Sequence, residues 1–182
     1  MKGVVFDLLR QMAEESVGVL GWQQVLDRAG SDGLYVATGT YPDDELVALV
    51  VAVSEHTGLS VDELLYRFGQ FMVPAFESSY PVFFHGFDHL LDFLETVEAT
   101  VHKEVRKLYS DAALPTFEVT RSAANELTML YRSPRKLCRL AEGLIDGSAT
   151  RFSTPYRLSH DRCLHRGDDH CELIVRCEPG NG

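Results

Sequence analysis

The sequence predicts an α+β fold: a helical N-terminal subdomain, then a C-terminal subdomain with a small four-stranded antiparallel sheet and helices. Three observations predict it. Apolar residues recur at helical spacing through the first half, the pattern turns to alternation after Pro115, and two alternating runs near the C-terminus flank a turn-rich segment. With 45% apolar and 24% charged residues over 182 positions, the chain has the balance of one domain, residues 1–182. The helical part ends at about residue 86.

Val4, Val5, Leu8, Leu9 and Met12 share one helical face, and a second helical segment runs from Val17 to Ala29, stopped by Gly30. Beyond the Gly-rich stretch from Gly33 to Gly39, Pro42 and the acidic run Asp43-Asp44-Glu45 open a helix whose charges suit its N-terminal dipole. Gly58 closes it. Ser60-x-x-Glu63 has the form of a capping box and starts the next helix, which Pro74 is expected to end or kink. The aromatic stretch from Phe76 to Phe87, broken by Pro81 and Gly86, reads as partly irregular. Helical segments follow at about Asp88 to Leu94 and Val97 to Leu108, the latter with a Val101, Val105, Leu108 stripe. After Pro115, Phe117 to Thr120 and Leu127 to Tyr131 read as strands and Ser133 to Gly147 as an amphipathic helix. Tyr156 to Leu164 and Cys171 to Cys177 are strands joined as a hairpin through Arg166-Gly167-Asp168-Asp169.

Composition excludes several function classes. Seventeen Lys and Arg against 27 Asp and Glu give a net charge of −10, which argues against nucleic acid as a partner. Residues 1–86 carry 4 basic and 12 acidic side chains and the remainder 13 and 15, so an anionic ligand is expected on the second half. The longest apolar stretch, Leu46 to Val53, falls far short of the roughly 18–20 residues that span a bilayer, and no signal peptide opens the chain. A cytoplasmic protein without a membrane partner is expected. All four cysteines, Cys138, Cys163, Cys171 and Cys177, lie in the second half, which in such a compartment suggests metal or redox chemistry rather than a disulfide scaffold.

Three groups of residues could carry chemistry. His102 borders an apolar stripe, so its imidazole is either a metal ligand or a core-edge histidine bonded to a carbonyl. Tyr131-x-Ser133-x-Arg135 collects two hydroxyls and a guanidinium, suited to one or two carboxylates; Ser133-Pro134 also has the form of a helix start. Cys138, His160, Cys163 and Cys171 are a normal structural zinc set at an unusual spacing, with His165, His170 and Cys177 as competing ligands and buried free cysteines as the other reading. Cys138 and Leu140 are two apart on a helix and therefore on nearly opposite faces, so one helix would serve two sites. Oxidation of the cysteines with zinc loss would then loosen that helix and provide a second, redox input. His56, His85 and His89 read as solvent or core histidines, and Trp22, Tyr41, Phe83 and Phe84 as core.

Taken in order, Met1-Lys2-Gly3, Gly21-Trp22, Thr40-Tyr41-Pro42-Asp43, Val101-His102-x-Glu104-Val105-x-Lys107, Pro115, Tyr131-x-Ser133-x-Arg135 and Gly143-Leu144-Ile145-x-Gly147 resemble an H-NOX domain. This is the haem nitric oxide and oxygen binding family, which includes the haem domain of soluble guanylate cyclase, and the resemblance covers essentially the whole chain. It implies haem b as cofactor, with His102 as the proximal iron ligand, Tyr131, Ser133 and Arg135 on the haem propionates, and Pro115 pressing on and distorting the haem. Val5, Leu9, Leu140 and Leu144 match the distal wall. Members that hold oxygen carry a tyrosine hydroxyl at the position of Leu140; its absence here implies selectivity for nitric oxide, with carbon monoxide as a further gas ligand. Pro74 and Ser78 depart from the residues expected near the pocket in oxygen-binding relatives.

The resemblance further implies a sensor without an active site of its own. Gas binding would break the histidine–iron bond, relax the haem, and turn the helical half against the sheet half. The chain reads as a stand-alone sensor whose partner is a separate sensor histidine kinase or a cyclic-di-GMP synthase or phosphodiesterase. The segment from Cys163 to Cys171 resembles a bacterial H-NOX subgroup that carries zinc. The Cys-rich hairpin also resembles the 4-vinyl-reductase-like domains, so the alternative is a zinc-containing module that binds a small hydrophobic molecule without haem. A haem peroxidase would need a distal His or Arg acid–base pair, and none falls in the expected pocket.

Overall fold

The computed structural model describes residues 1–178, the side chain of Leu108 excepted. Two helical segments, taken together as α1 (Gly3–Ala29), meet at a kink, as the sequence implies. The bend is at Gly18, whose φ of 72° and ψ of 171° are open to glycine alone. Helix α2 (Asp43–Thr57) begins with the three acidic residues and ends at Gly58, as the sequence implies. Helix α3 (Val61–Ser79) is capped by Ser60, whose Oγ accepts the Glu63 N–H at 3.2 Å. The Glu63 carboxylate turns to Arg67 instead (2.7 Å), so half of the capping box forms. Pro74 does not end this helix, which continues to Ser79. Burial of Met72 and Val73 on either cluster below, and packing of Phe76 against both, outweigh the one backbone bond that proline removes.

Helix α4 (Leu90–Thr96) leads through a wide π turn, Val97–His102, into α5 (Lys103–Leu108), where the sequence suggests two separate helices. Such turns recur at functional sites, and this one ends on His102. Strands β1 (Thr116–Ala123), β2 (Glu126–Arg132), β3 (Tyr156–His160) and β4 (Cys171–Cys177) form one sheet in the order β1-β2-β4-β3, every pair antiparallel. Between β2 and β3 lies helix α6 (Cys138–Arg151). It starts five residues later than the sequence pattern suggests, because residues 133–137 form a turn in which Lys136 takes a φ of 53°. The β3–β4 connection is likewise not a tight turn but a loop over residues 161–170, with a 3₁₀ turn at Leu164–Arg166.

Alternate residues of β2 and β4, namely Leu127, Met129, Tyr131, Cys171, Leu173 and Val175, are buried on one face of the sheet. They join α4 and one side of α6 in a cluster. A second cluster gathers α1, α2, most of α3 and Leu140. Helix α6 is the shared wall: Cys138, Ala141 and Ile145 belong to the sheet cluster and Leu140 to the helical one, while Leu144 packs against both. No helix among the described residues is long and apolar enough to cross a membrane.

Candidate functional site

His102, at the end of the π turn, is mostly buried, with 14% of its side chain exposed. Its Nδ1 lies 2.9 Å from Glu98 Oε2, one turn earlier on the same rod. Glu98 also takes Arg106 Nη2 at 2.6 Å and the Phe117 backbone N–H at 3.2 Å, so its position is set from three sides. Burial alone would raise the Glu98 carboxyl, but Arg106 and His102 outweigh it and hold it below the usual range. Burial pushes His102 down, which favours a neutral ring. With Nδ1 engaged, Nε2 carries the lone pair and has no hydrogen-bond partner among the described residues.

Ordered rings run from His102 toward the sheet: its ring centroid is 5.8 Å from that of Phe117, which is 5.4 Å from Tyr131. The Tyr131 hydroxyl accepts the Leu137 N–H at 3.0 Å, and Ser133 Oγ accepts the Arg135 N–H at 3.2 Å. Strand β2 places Tyr131, and the short turn after it, not a helix cap, places Ser133 and Arg135. Arg135 donates from Nη1 to the Ala113 carbonyl. Its Nε is 2.6 Å from Asp43 Oδ2, close enough for charge attraction but off the hydrogen-bond axis, so this buried N–H has no aligned acceptor. Asp43 is shared with the Met1 amino group at 2.7 Å.

Half-buried Pro115 lies between two of these anchors: Ala113, held by Arg135, and Phe117, held by Glu98. Val5, Leu9 and Leu140 are buried in the helical cluster, with Leu144 against it. Of the tyrosine hydroxyls packed at this cluster, Tyr35 donates to Glu45 and Tyr41 accepts the Val36 N–H. Trp22 and Tyr41 belong with this cluster and Phe83 and Phe84 with the sheet cluster, whereas His56, His85 and His89 are exposed.

The structure brings Cys138, His160, Cys163 and Cys171 together, with one ligand atom from each lying within 4.8 Å of all the others. Cys138 opens α6, His160 ends β3, Cys171 begins β4, and Cys163 is in the loop between those strands. The competing residues lie elsewhere in the bonding pattern: His165 Nε2 meets the Lys136 carbonyl at 2.7 Å, His170 pairs with Asp169 at 2.6 Å, and Cys177 is at the far end of β4. Burial and the neighbouring Cys171 and Cys163 push the Cys138 thiol up to about 12. Burial, with Arg166 and Arg139 nearby, lowers His160. Cys171 lies directly opposite Tyr131 in the β2–β4 register, so the two residue groups meet across one strand pair.

The implied groups can be tested on these atoms. The free nitrogen of His102, the Tyr131 and Ser133 hydroxyls and the Arg135 guanidinium fit an iron porphyrin with its two carboxylates. For the cysteines, zinc–sulfur bonds of about 2.3 Å at tetrahedral angles put sulfurs about 3.8 Å apart. Cys163 Sγ is 3.8 Å from Cys138 Sγ and 3.9 Å from Cys171 Sγ. His160 Nε2 is buried without a partner, which fits a missing fourth bond.

Sequence reading missed Glu98, Arg106, Asp43, Arg139 and Glu142. Three of them stand four residues from a singled-out residue on a helical segment, Glu98 before and Arg106 after His102 and Glu142 after Cys138, and that spacing is the signal that would have found them.

The haem-NO-binding family profile matches residues 2–160. An H-NOX protein from S. oneidensis in the Fe(II)NO state is 32% identical over 98% of this chain and all of its own, with a TM-score of 0.92. The unliganded Fe(II) H-NOX protein from K. algicida is 28% identical, covering 100% of this chain and 99% of its own, also with a TM-score of 0.92. A single-substitution mutant of the T. tengcongensis H-NOX, 23% identical over the whole of both chains, shares the fold with a TM-score of 0.89. No curated protein matches. These matches give the small-molecule module no support. The helical half, the four-stranded sheet and a profile match over most of the chain place it in the haem-NO-binding family, with the H-NOX fold.

Proposed function

We propose that the protein is a sensor, not an enzyme, that binds nitric oxide, and carbon monoxide as a further ligand, at a ferrous haem b held by His102 Nε2. The observation that carries this reading is the His102–Glu98 pair, which holds Nδ1 of a mostly buried imidazole and leaves the other ring nitrogen free. Structures of S. oneidensis H-NOX in the Fe(II)NO and Fe(II)CO states support the choice of gases.

When bound, the haem would supply the ferrous iron that takes up the gas. Tyr131 and Ser133, through their hydroxyls, and Arg135, through its guanidinium, would hold the two propionates. Leu140, with Val5, Leu9 and Leu144, keeps water out and offers no hydrogen bond, which disfavours oxygen. Pro115, between the held residues Ala113 and Phe117, would press on the ring. Because Glu98 ties His102 to Phe117 of β1, displacement of the His102 rod moves the sheet half relative to the helical half. The readout is a separate sensor histidine kinase or cyclic-di-GMP enzyme.

Cys138, His160, Cys163 and Cys171 hold zinc in this reading, as in the zinc-containing nitric-oxide-selective subgroup. Cys138 and Leu140 fall in different clusters of the same helix, which supports communication between zinc and the distal wall, and hence a redox input.

The test is the absorption spectrum of the reduced protein, exposed separately to oxygen and nitric oxide, beside a His102→Ala variant. A haem band that ignores oxygen, responds to nitric oxide, and fails to form normally in the variant is expected. Zinc without a haem band after expression in ample haem would overturn the reading. For the redox input, peroxide that releases zinc yet leaves partner activity unchanged would sink it.

A further inference from the structure

Glu142 is a buried carboxylate, with 6% of its side chain exposed, and its charge is compensated within the fold. Its Oε2 meets the Arg139 guanidinium, and its Oε1 lies 2.5 Å from His160 Nδ1. Arg139 in turn stands over the Tyr66 ring of α3, 5.1 Å from its centroid. His160 Nε2, the opposite ring nitrogen, is buried with no partner and is part of the group formed with the sulfurs of Cys138, Cys163 and Cys171. A plain buried ion pair does not account for this pattern. A charged His160 would place an N–H at Nε2, and no acceptor is there among the described residues; with the proton on Nδ1, Nε2 holds a lone pair that requires a cation or donor.

We propose that Glu142 is the positioning residue of the metal centre: it fixes the proton of His160 on Nδ1, aims Nε2 at the metal, and so fastens the centre to α6 at a second point. This inference rests on the zinc reading of the cluster. Helix α6 then grips the metal directly through Cys138 and, one turn on, indirectly through Glu142 and His160. On binding, Cys138, Cys163 and Cys171 each release a proton and His160 releases none. Arg139 balances the carboxylate, and the Leu164 N–H, 3.3 Å from Cys171 Sγ, softens the thiolate charge.

The experiment uses the full haem-loaded chain and Zn²⁺ as the probe. Zinc affinity is measured by chelator competition, and the ligand set by zinc-edge X-ray absorption, for the wild type, Glu142→Ala and Glu142→Gln. The wild type should show three sulfurs and one nitrogen. Glu142→Ala should bind zinc about 10–100-fold more weakly, with the imidazole signal reduced. Glu142→Gln, whose amide oxygen still accepts from Nδ1, should recover the imidazole signal and most of the affinity. A folded Glu142→Ala protein with wild-type affinity and an intact imidazole signal would overturn the proposal while leaving the zinc reading standing. A wild type that takes up no zinc would overturn both. If Glu142→Ala does not fold, the Gln variant decides: loss of the imidazole signal there, despite a retained acceptor, refutes the role.

Discussion

A Cβ added at Gly143 would sit 2.0 Å from the Tyr66 carbonyl oxygen, so α3 and α6 touch backbone to backbone at this point. Gly69 and Gly147 extend the close approach: their Cβ positions fall 2.4 Å from the Leu140 carbonyl oxygen and 2.8 Å from a Val73 methyl. The obstacle at Gly143 is main chain, which cannot rotate aside. Gly143→Ala is therefore expected to destabilise the fold by about 3 kcal/mol, despite the better helix propensity of alanine. Urea unfolding at constant m-value measures it; a loss under about 0.5 kcal/mol would contradict this packing.

The N-terminus carries a second restraint. Lys2 Nζ meets both oxygens of Asp111, at 2.8 and 3.0 Å, and Thr40 Oγ1 donates to the same carboxylate at 2.5 Å. Lys2 and then Thr40 hold the Asp111 carboxyl down to about 2. A carboxyl depressed in the folded state adds stability above its unfolded value of about 4 and loses it as the pH falls through about 2. The stability gap between wild type and Asp111→Asn should be constant above about pH 4 and close below it, and should shrink in high salt because the group is exposed. A gap independent of pH would mean that the clasp is not electrostatic.

Local rules made much of this legible. Asp43-Asp44-Glu45 and Gly58 bound a helix because each acts within one turn, and Leu127 to Tyr131 alternates because one sheet face is buried. The failures share a cause: packing that sequence spacing does not record. Pro74 sits inside α3 because the helix is pressed onto α6, and Ser133 does not start α6 because Lys136 turns the chain first. In the candidate site, residue types left His102, Tyr131, Ser133, Arg135 and the cysteines with alternative readings that the family resemblance narrowed, and the fold brings the four zinc candidates together. Partners such as Asp43, which meets Arg135 from 92 positions away in sequence, follow from tertiary structure alone.

Glu98 makes three contacts that no other residue replaces, to His102, Arg106 and the Phe117 N–H. Glu98→Ala frees the imidazole to rotate and leaves a backbone N–H without its acceptor, a loss of about 1–3 kcal/mol. Haem affinity should fall about 10–100-fold, with Glu98→Gln between the two. Transfer of haem to an excess of a haem-free globin gives the rate, and far-UV circular dichroism checks the fold. Unchanged transfer in both variants would show that His102 needs no such support.

Leu140 is 8% exposed, in the helical cluster with Val5 and Leu9, and brings no polar atom to it. If a missing hydrogen-bond donor is what disfavours oxygen, adding one there should reverse the preference, because bound oxygen is polar and gains from a hydroxyl. Leu140→Tyr adds that hydroxyl together with ring volume, so Leu140→Phe is the control for bulk. Both variants should lose about 1–3 kcal/mol of stability through overpacking. The tyrosine variant alone should form a lasting oxygen complex in air, read from the haem absorption bands, while both still respond to nitric oxide. A tyrosine variant that keeps haem and nitric oxide binding yet takes no oxygen would place the origin of selectivity elsewhere, with His102 and Pro115 next to be varied.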